Sequence, residues 1–324
     1  MNEDFISQYK QLWKKIFKDN DEFIESYFSN FLNTDSFFYF SENNIIKSAL
    51  LSCNYRWNFE GDILKFAYLS GILTEERSRG KGLASELIKH TLKNICLNGF
   101  NLCGLIAADD SLVKYYAKLG FIKCKEKDDK IFRTEYANTI HIKDYSIQQL
   151  NKIPDSIFNN RYLQFNNNSV LHDKNTLNLY NNDYYKIFIA EKQGRIETFL
   201  IVTLENNETN ILYSYFENTE TRNAILSWLV DKYNRNVRTV GTRNRMLRII
   251  NAEHILQLYA SKHQKKTIFI RITDDIIENN NKTFYIKDGR IQSQNDNTDA
   301  IIMSIDELTD KLFFEGQMFL MLDR

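Results

Sequence analysis

Between Arg79 and Ala84 the chain reads RGKGLA, where an apolar strand (FAYLSGIL, Phe66 to Leu73) runs into an amphipathic helix (LASELIKHTLKNI, Leu83 to Ile95). The chemistry of this stretch is anion binding. A helix N-terminus presents unpaired N–H groups and a partial positive charge. Gly80 and Gly82 let the backbone approach a phosphate closely, and Arg79 and Lys81 add charge. A nucleotide pyrophosphate is a natural ligand. The GxGxxG pattern of dinucleotide sites is absent, and so is the GxxxxGK[ST] of P-loops.

The elements that must hold this turn can be read outward from it. Helical spacing of aromatics in FISQYKQLWKKIF and DEFIESYFSNFL predicts two helices. FFYFSENNIIKSALLSC predicts a hairpin around Glu42-Asn43-Asn44. Ile63 to Leu73 is a further strand. After the Leu83 helix come a strand (Leu102 to Ala108) and a helix from Ser111 to Gly120, with glycine at the C-cap. FIKC and a returning KIFRTEY are expected to close this unit.

The balance of the chain bounds its partners. With 324 residues, two or three domains are expected. Hydrophobic residues at 43% supply a sizeable core, and 42 basic against 42 acidic residues leave no electrostatic footprint for nucleic acid or an anionic membrane. No apolar run approaches the roughly 18 residues of a transmembrane helix. Cys53, Cys96, Cys103 and Cys124 form no CxxC pair, so neither a disulfide framework nor a zinc site is expected, and a reducing cytoplasm fits.

RGKGLA fits an R-x-x-G-x-[G/A] pattern, and Arg77 to Gly82 fits it two residues earlier. With the strand before it, the helix after it and LIAADDSLVKYYAKLGF (Leu105 to Phe121) downstream, it resembles the acyl-CoA pyrophosphate loop of the GNAT N-acetyltransferases. The later register is preferred, because Ala84 then falls where the helix lies close to the phosphates. The resemblance implies a GNAT α/β (α+β) fold, a mixed sheet with flanking helices, and acetyl-CoA as co-substrate without a metal. Arg79, Gly80, Lys81, Gly82, Leu83 and Ala84 would hold the pyrophosphate. The strand before the loop splays from its neighbour in that family. Backbone groups around Gly71, Ile72 and Leu73 would then pair with the pantetheine arm and polarise the thioester, the kind of preorganised donor that is a large catalytic contribution.

Transfer of an acyl group to an amine requires two proton movements. The amine, as an ammonium of pKa about 10, must lose a proton, and the departing thiolate must gain one. A phenol suits the second task. The family's general-acid tyrosine lies in Y-x-[KR]-x-G-[FY], which here is Tyr116-Ala-Lys118-Leu-Gly120-Phe121. Tyr115 points elsewhere on the helix. Ser111 opens this helix and either caps it or contacts the CoA. For the base, Asp109, Asp110, Glu75, Glu76 and His90 are candidates and each has a simpler structural job; Cys103 reads as a small buried hydrophobe.

The rest of the chain narrows the resemblance. Residues 137–242 carry three strands (YKIFIAEKQGRIETFLIVTLENNETNILYSYF) and a helix (ETRNAILSWLVDKY) but no glycine-rich turn. Residues 243–324 read as a third unit: MLRIINAEHILQLYA helical in pattern, strands KTIFIRITDD, KTFYIKDGRI and AIIMS, and a capping box Ser304 to Glu307 opening a last helix. A catalytic GNAT domain (1–136), a degenerate GNAT-like domain (137–242) and a sterol-carrier-like (SCP2-like) domain (243–324) resemble the enhanced-intracellular-survival (Eis) type acetyltransferases. In that group the C-terminal carboxylate enters the first domain's site, which here would make Arg324, after MFLMLD, the proton acceptor. The acceptor substrate would be a primary amine, small molecule or lysine-type, in a protein that can be a homo-oligomer. Two other readings stand beside this one: a non-catalytic acyl-CoA or lipid binder using the SCP2-like unit, and an aminoacyl or peptidoglycan-type transferase built on two GNAT units.

Overall fold

The computed structural model describes residues 3–126, 130–133, 142–154, 157, 168–172, 177–239, 241, 243–293 and 300–314. The described residues pack as two compact units, one of those up to 125 together with those from 244 to 314, the other of those between 126 and 243.

The first unit opens with α1 (Glu3–Phe17) and α2 (Asp21–Phe31). The Asn20 side chain caps α2 by accepting from Phe23 N, and the helices bury Tyr9, Trp13, Tyr27 and Phe28. β1 (Phe37–Glu42) and β2 (Ile45–Phe59) form the expected hairpin, with Asn43 and Asn44 both at positive φ in its two-residue turn. β3 (Asp62–Thr74) returns antiparallel to β2. Then follow α3 (Leu83–Leu97), β4 (Leu102–Ile106), α4 (Asp110–Ala117) and β5 (Ile122–Lys123).

The second unit has β6 (Lys130–Phe132), β7 (Ser146–Leu150), β8 (Asn168–Leu171), β9 (Lys186–Lys192), β10 (Arg195–Glu205), β11 (Glu208–Phe216), α5 (Thr219–Tyr233) and β12 (Asn236–Thr239). Its sheet runs β6-β12-β11-β10-β9-β7. The expected three-strand meander is β9–β11, turning at Gln193-Gly194 and Asn206-Asn207, all at positive φ. One expectation is corrected. KIF does not return to the first unit: β6 pairs with β12, Phe132 opposite Val237.

The chain then re-enters the first unit with β13 (Arg245–Ile249), α6 (Ala252–Lys262), β14 (Ile268–Thr273), β15 (Thr283–Lys287), β16 (Arg290–Ser293), β17 (Ile301–Ser304) and α7 (Ile305–Phe313). MLRIINAEHILQLYA is therefore not one helix. Its first part is β13, which lies antiparallel to both β4 and β5, so that the sheet runs β1-β2-β3-β4-β13-β5. Every β13 side chain is buried, and a strand covered on both faces shows no alternation to betray it. The last four strands make a second sheet, β16-β15-β14-β17. The capping box at Ser304 and Glu307 is formed as expected. The architecture is the mixed-sheet α/β class with flanking helices.

Candidate active site

β3 and β4 run parallel, but their ladder is short. Phe66, Ala67 and Tyr68 pair with Leu102, Cys103 and Gly104. Beyond that point β3 continues to Thr74 and β4 to Ile106 with no further pairing among the described residues. The two strands part at their C-terminal ends and leave a cleft edged by backbone of β3.

A bulge lies on β3 just past the last pair with β4. On β2, Leu51 pairs with Ser70 and Ala49 with Leu73, so Leu50 stands opposite both Gly71 and Ile72. Gly71 has φ +57°, and a Cβ there would overlap the Trp13 ring and the Tyr9 hydroxyl. Tyr9 instead donates to the Gly71 carbonyl at 2.8 Å. Glycine is required here twice over, for its backbone angle and for the close approach of α1. Gly71 and Ile72 are half-buried and Leu73 buried; two of the three predicted thioester-aligning residues, Gly71 and Ile72, form the bulge, and Leu73 pairs with Ala49 beside it.

The loop after β3 is held by its own side chains. Glu75 accepts from the Arg77 backbone N–H and from Ser78 Oγ, bonds that hold its carboxyl below the usual range. Arg79 Nε donates to the Thr74 carbonyl at 3.3 Å. Gly80 and Gly82 lie at φ +76° and +78°, and a Cβ on either would meet nothing within 4 Å. Gly82 is the N-cap of α3, with no side chain capping the helix, and its carbonyl accepts from Glu86 N at 3.1 Å. The first amides of α3, from Leu83 and Ala84 onward, are therefore offered to an incoming anion. Arg79 and Lys81 flank them, exposed.

α4 reaches the helix that follows this loop through Tyr115. Its N-cap is Asp109, which accepts from Ser111 N, Leu112 N and, at 2.6 Å, Ser111 Oγ. The Ser111 hydroxyl, then, does not cap the helix; it serves the residue that does, and these bonds lower the Asp109 pKa. Tyr115 Oη lies 2.8 Å from Ser85 Oγ and ties α4 to the first turn of α3. Tyr116 is buried in the core cluster that also holds Leu69, Leu87 and Leu105, with Ile72 packed against it. Burial, then Tyr115 and Asp109, push its phenol well above the ordinary tyrosine value. The group keeps its proton at any pH near neutrality and can give it up only to a developing anion close by.

Cys103 is buried in the same cluster, as expected. His90 is exposed on α3 near the Phe38 ring. Arg324 lies outside the described residues. A cavity of ≈ 220 Å³ sits between Lys93, Cys96 and Leu97 on the distal half of α3 and the Ile276–Asn279 stretch, away from the cleft. Among the described residues no group of His, Cys, Asp and Glu is arranged to hold a metal, and no helix is long and apolar enough to cross a membrane. Sequence reasoning missed the support given to Gly71 by Tyr9 and Trp13. Their i, i+4 spacing was visible, but it reads as an ordinary helix face.

Residues 1–123, which contain the bulge, the loop, Tyr116 and Phe121, match the acetyltransferase (GNAT) domain family. Over those residues the chain is similar to a GNAT acetyltransferase domain, the domain of an acyltransferase. No curated protein matches the sequence. Solved structures are similar in fold. A probable N-acyltransferase of Enterococcus faecalis V583 superposes with a TM-score of 0.80 at 15% identity, over 95% of this chain and 87% of that one. A GCN5-related N-acetyltransferase from Anabaena variabilis gives 0.76 at 15% identity, over 94% and 86%. Eis1 from Mycobacterium abscessus gives 0.73 at 10% identity, over 97% and 88%.

Proposed function

We propose that the protein transfers an acetyl group from acetyl-CoA to a primary amine by direct attack on the thioester. The observation that carries this reading is the juxtaposition of an open β3–β4 cleft, a Gly71 bulge at its lip and an uncapped, glycine-led helix N-terminus immediately downstream. Arg79 to Ala84 bind the pyrophosphate, Gly71 to Leu73 align the thioester, and Ser111 lies at the rim. Tyr116 protonates the leaving thiolate. The segments 1–136, 137–242 and 243–324 serve as a catalytic GNAT domain, a degenerate GNAT-like domain and an SCP2-like domain, the first packing with most of the third. The SCP2-like reading of the third is supported by its four-stranded sheet flanked by α6 and α7.

The second unit is not a second CoA site. At the equivalent junction Asn218 caps α5 with its own side chain, accepting from Thr221 N, and Glu217 and Glu220 stand where phosphates would need cations. Calorimetry with acetyl-CoA tests the reading first, followed by thiol release with a panel of primary amines. Micromolar binding and amine-dependent release are expected. Failure of folded protein to bind acetyl-CoA would sink it.

A further inference from the structure

Gly120 ends the YAKLGF turn with φ +79°, and the space a side chain would take is already filled: a Cβ would overlap Nη1 of Arg248. The same turn holds Tyr116 by its backbone. The Tyr116 carbonyl accepts from Leu119 N at 2.9 Å and from Phe121 N at 3.3 Å. Arg248, on β13, is fully buried and donates through Nη2 to Asp274 Oδ1 at 2.6 Å.

Asp274 is itself fixed from several directions. Oδ1 also accepts from the amides of Ile276 (2.9 Å) and Ile277 (3.0 Å), and Oδ2 from Asn280 Nδ2 (2.9 Å). Asn281 Oδ1 takes the Asp274 N–H at 2.7 Å. Asn280 bonds on to the Ile250 carbonyl and the Ala252 amide, at the end of β13. Ile276 and Ile277 lie in the cluster that contains Tyr116. Packing alone does not call for such a pair, because apolar side chains of similar volume fill a core at least as well as a buried ion pair. What the pair adds is a planar guanidinium pinned at one end, whose other edge is held against one turn.

We propose that Arg248, oriented by Asp274, is a positioning residue for acetyl transfer: its guanidinium braces the Gly120 turn and thereby fixes the place of the Tyr116 hydroxyl. This rests on the reading of Tyr116 as the proton donor to the thiolate. The late segment of the chain then contributes to chemistry without touching either substrate.

The test uses the full-length protein with Arg248→Met, Arg248→Lys, Asp274→Asn and, as a core control, Ile255→Val. Turnover is counted per acetyl-CoA site by calorimetry, so that loss of folded protein does not register as loss of rate. We expect kcat to fall about tenfold or more in Arg248→Met and Asp274→Asn, with KM for acetyl-CoA within about twofold of wild type. Arg248→Lys should recover part of the rate, and Ile255→Val should match wild type. In parallel, 3-fluorotyrosine at position 116 should show a shifted ¹⁹F resonance in Asp274→Asn and an unmoved one in Ile255→Val. An unmoved resonance in Asp274→Asn overturns the brace, whether or not the enzyme turns over. A moved resonance with unchanged kcat overturns its part in the reaction. A moved resonance in a protein that acetylates no amine supports the brace and overturns the acetyl-transfer reading instead.

Discussion

The Tyr9 hydroxyl donates to the Gly71 carbonyl across 2.8 Å and so fastens the first helix to the bulge at the lip of the cleft. Tyr9 is wholly buried and Gly71 half-buried, so the bond is partly shielded from water. Tyr9→Phe removes it while keeping the ring. Stability should fall by about 0.5–1.5 kcal/mol, the usual net worth of one such bond. The rate should fall as well, by about tenfold, since a misplacement of about 1 Å can cost about 100-fold. Urea melts beside steady-state kinetics separate the two effects.

Gly71→Ala is a harsher change at the same place. The new methyl meets the Trp13 ring and the Tyr9 hydroxyl, and the left-handed backbone disfavours any Cβ. Overpacking costs about 1–3 kcal/mol, and the backbone adds about 1–2 kcal/mol. The melting temperature should drop clearly and acetyl transfer should be lost. Wild-type stability in this variant would show that the bulge relaxes, and that its geometry is not required.

Gly82→Asp should do the opposite, sparing the fold and removing the ligand. A Cβ at 82 meets nothing within 4 Å, and Asp tolerates positive φ better than most residues. Its carboxylate would sit among the amide donors meant for pyrophosphate. Acetyl-CoA affinity should weaken by more than about tenfold, which is about 1.4 kcal/mol, with the thermal midpoint lowered only by the cost of about 1 kcal/mol for a side chain at this left-handed backbone angle. Calorimetry and a melting curve on the same sample decide it.

The pH dependence follows from Tyr116. Its folded-state pKa is raised by burial above an unfolded value of about 10. Its contribution to stability is therefore fully present below pH 10 and is lost as pH climbs from there through the folded pKa. As an acid it stays protonated throughout the working range. The value of kcat/KM should accordingly rise between about pH 6 and 9 as the amine loses its proton, with no alkaline downturn from Tyr116 in that interval. A downturn near pH 8.5 that persists in Tyr116→Phe would place the proton donor elsewhere.

The Arg248–Asp274 pair predicts a reversal of sign. Arg248→Met alone strands a buried carboxylate and should cost about 3–5 kcal/mol. Adding Asp274→Asn removes that charge but keeps an oxygen for the Ile276 and Ile277 amides. The double variant should therefore be more stable than Arg248→Met, which chemical denaturation would show directly.

The sequence exposes some of this and hides the rest, for physical reasons. RGKGLA is legible because glycine at a strand-to-helix junction has few other uses, and YAKLGF because Gly120 must leave room. β13 is not legible: Met246, Leu247 and Ile249 are buried between two neighbours, and a short apolar run looks alike as strand or helix. DDIIENNNK reads as a polar interruption, yet Asp274 and Asn280 are buried and bond one another. Burial of a satisfied polar group leaves no trace in hydropathy. The destination of KIF is hidden because strand pairing is decided by a partner far along the chain.

That β13 fills the place between β4 and β5 also has a consequence in time. During synthesis the edge of β4 emerges long before Arg245 does, and all of residues 126–243 must be made before the sheet can close. Closing so large a loop adds little to the equilibrium cost, which grows only with the logarithm of length, but it delays the step, since non-local pairing is slow. Until then the nascent first unit exposes a bare strand edge of the kind that templates aggregation. A fragment ending near residue 136 would keep that edge permanently.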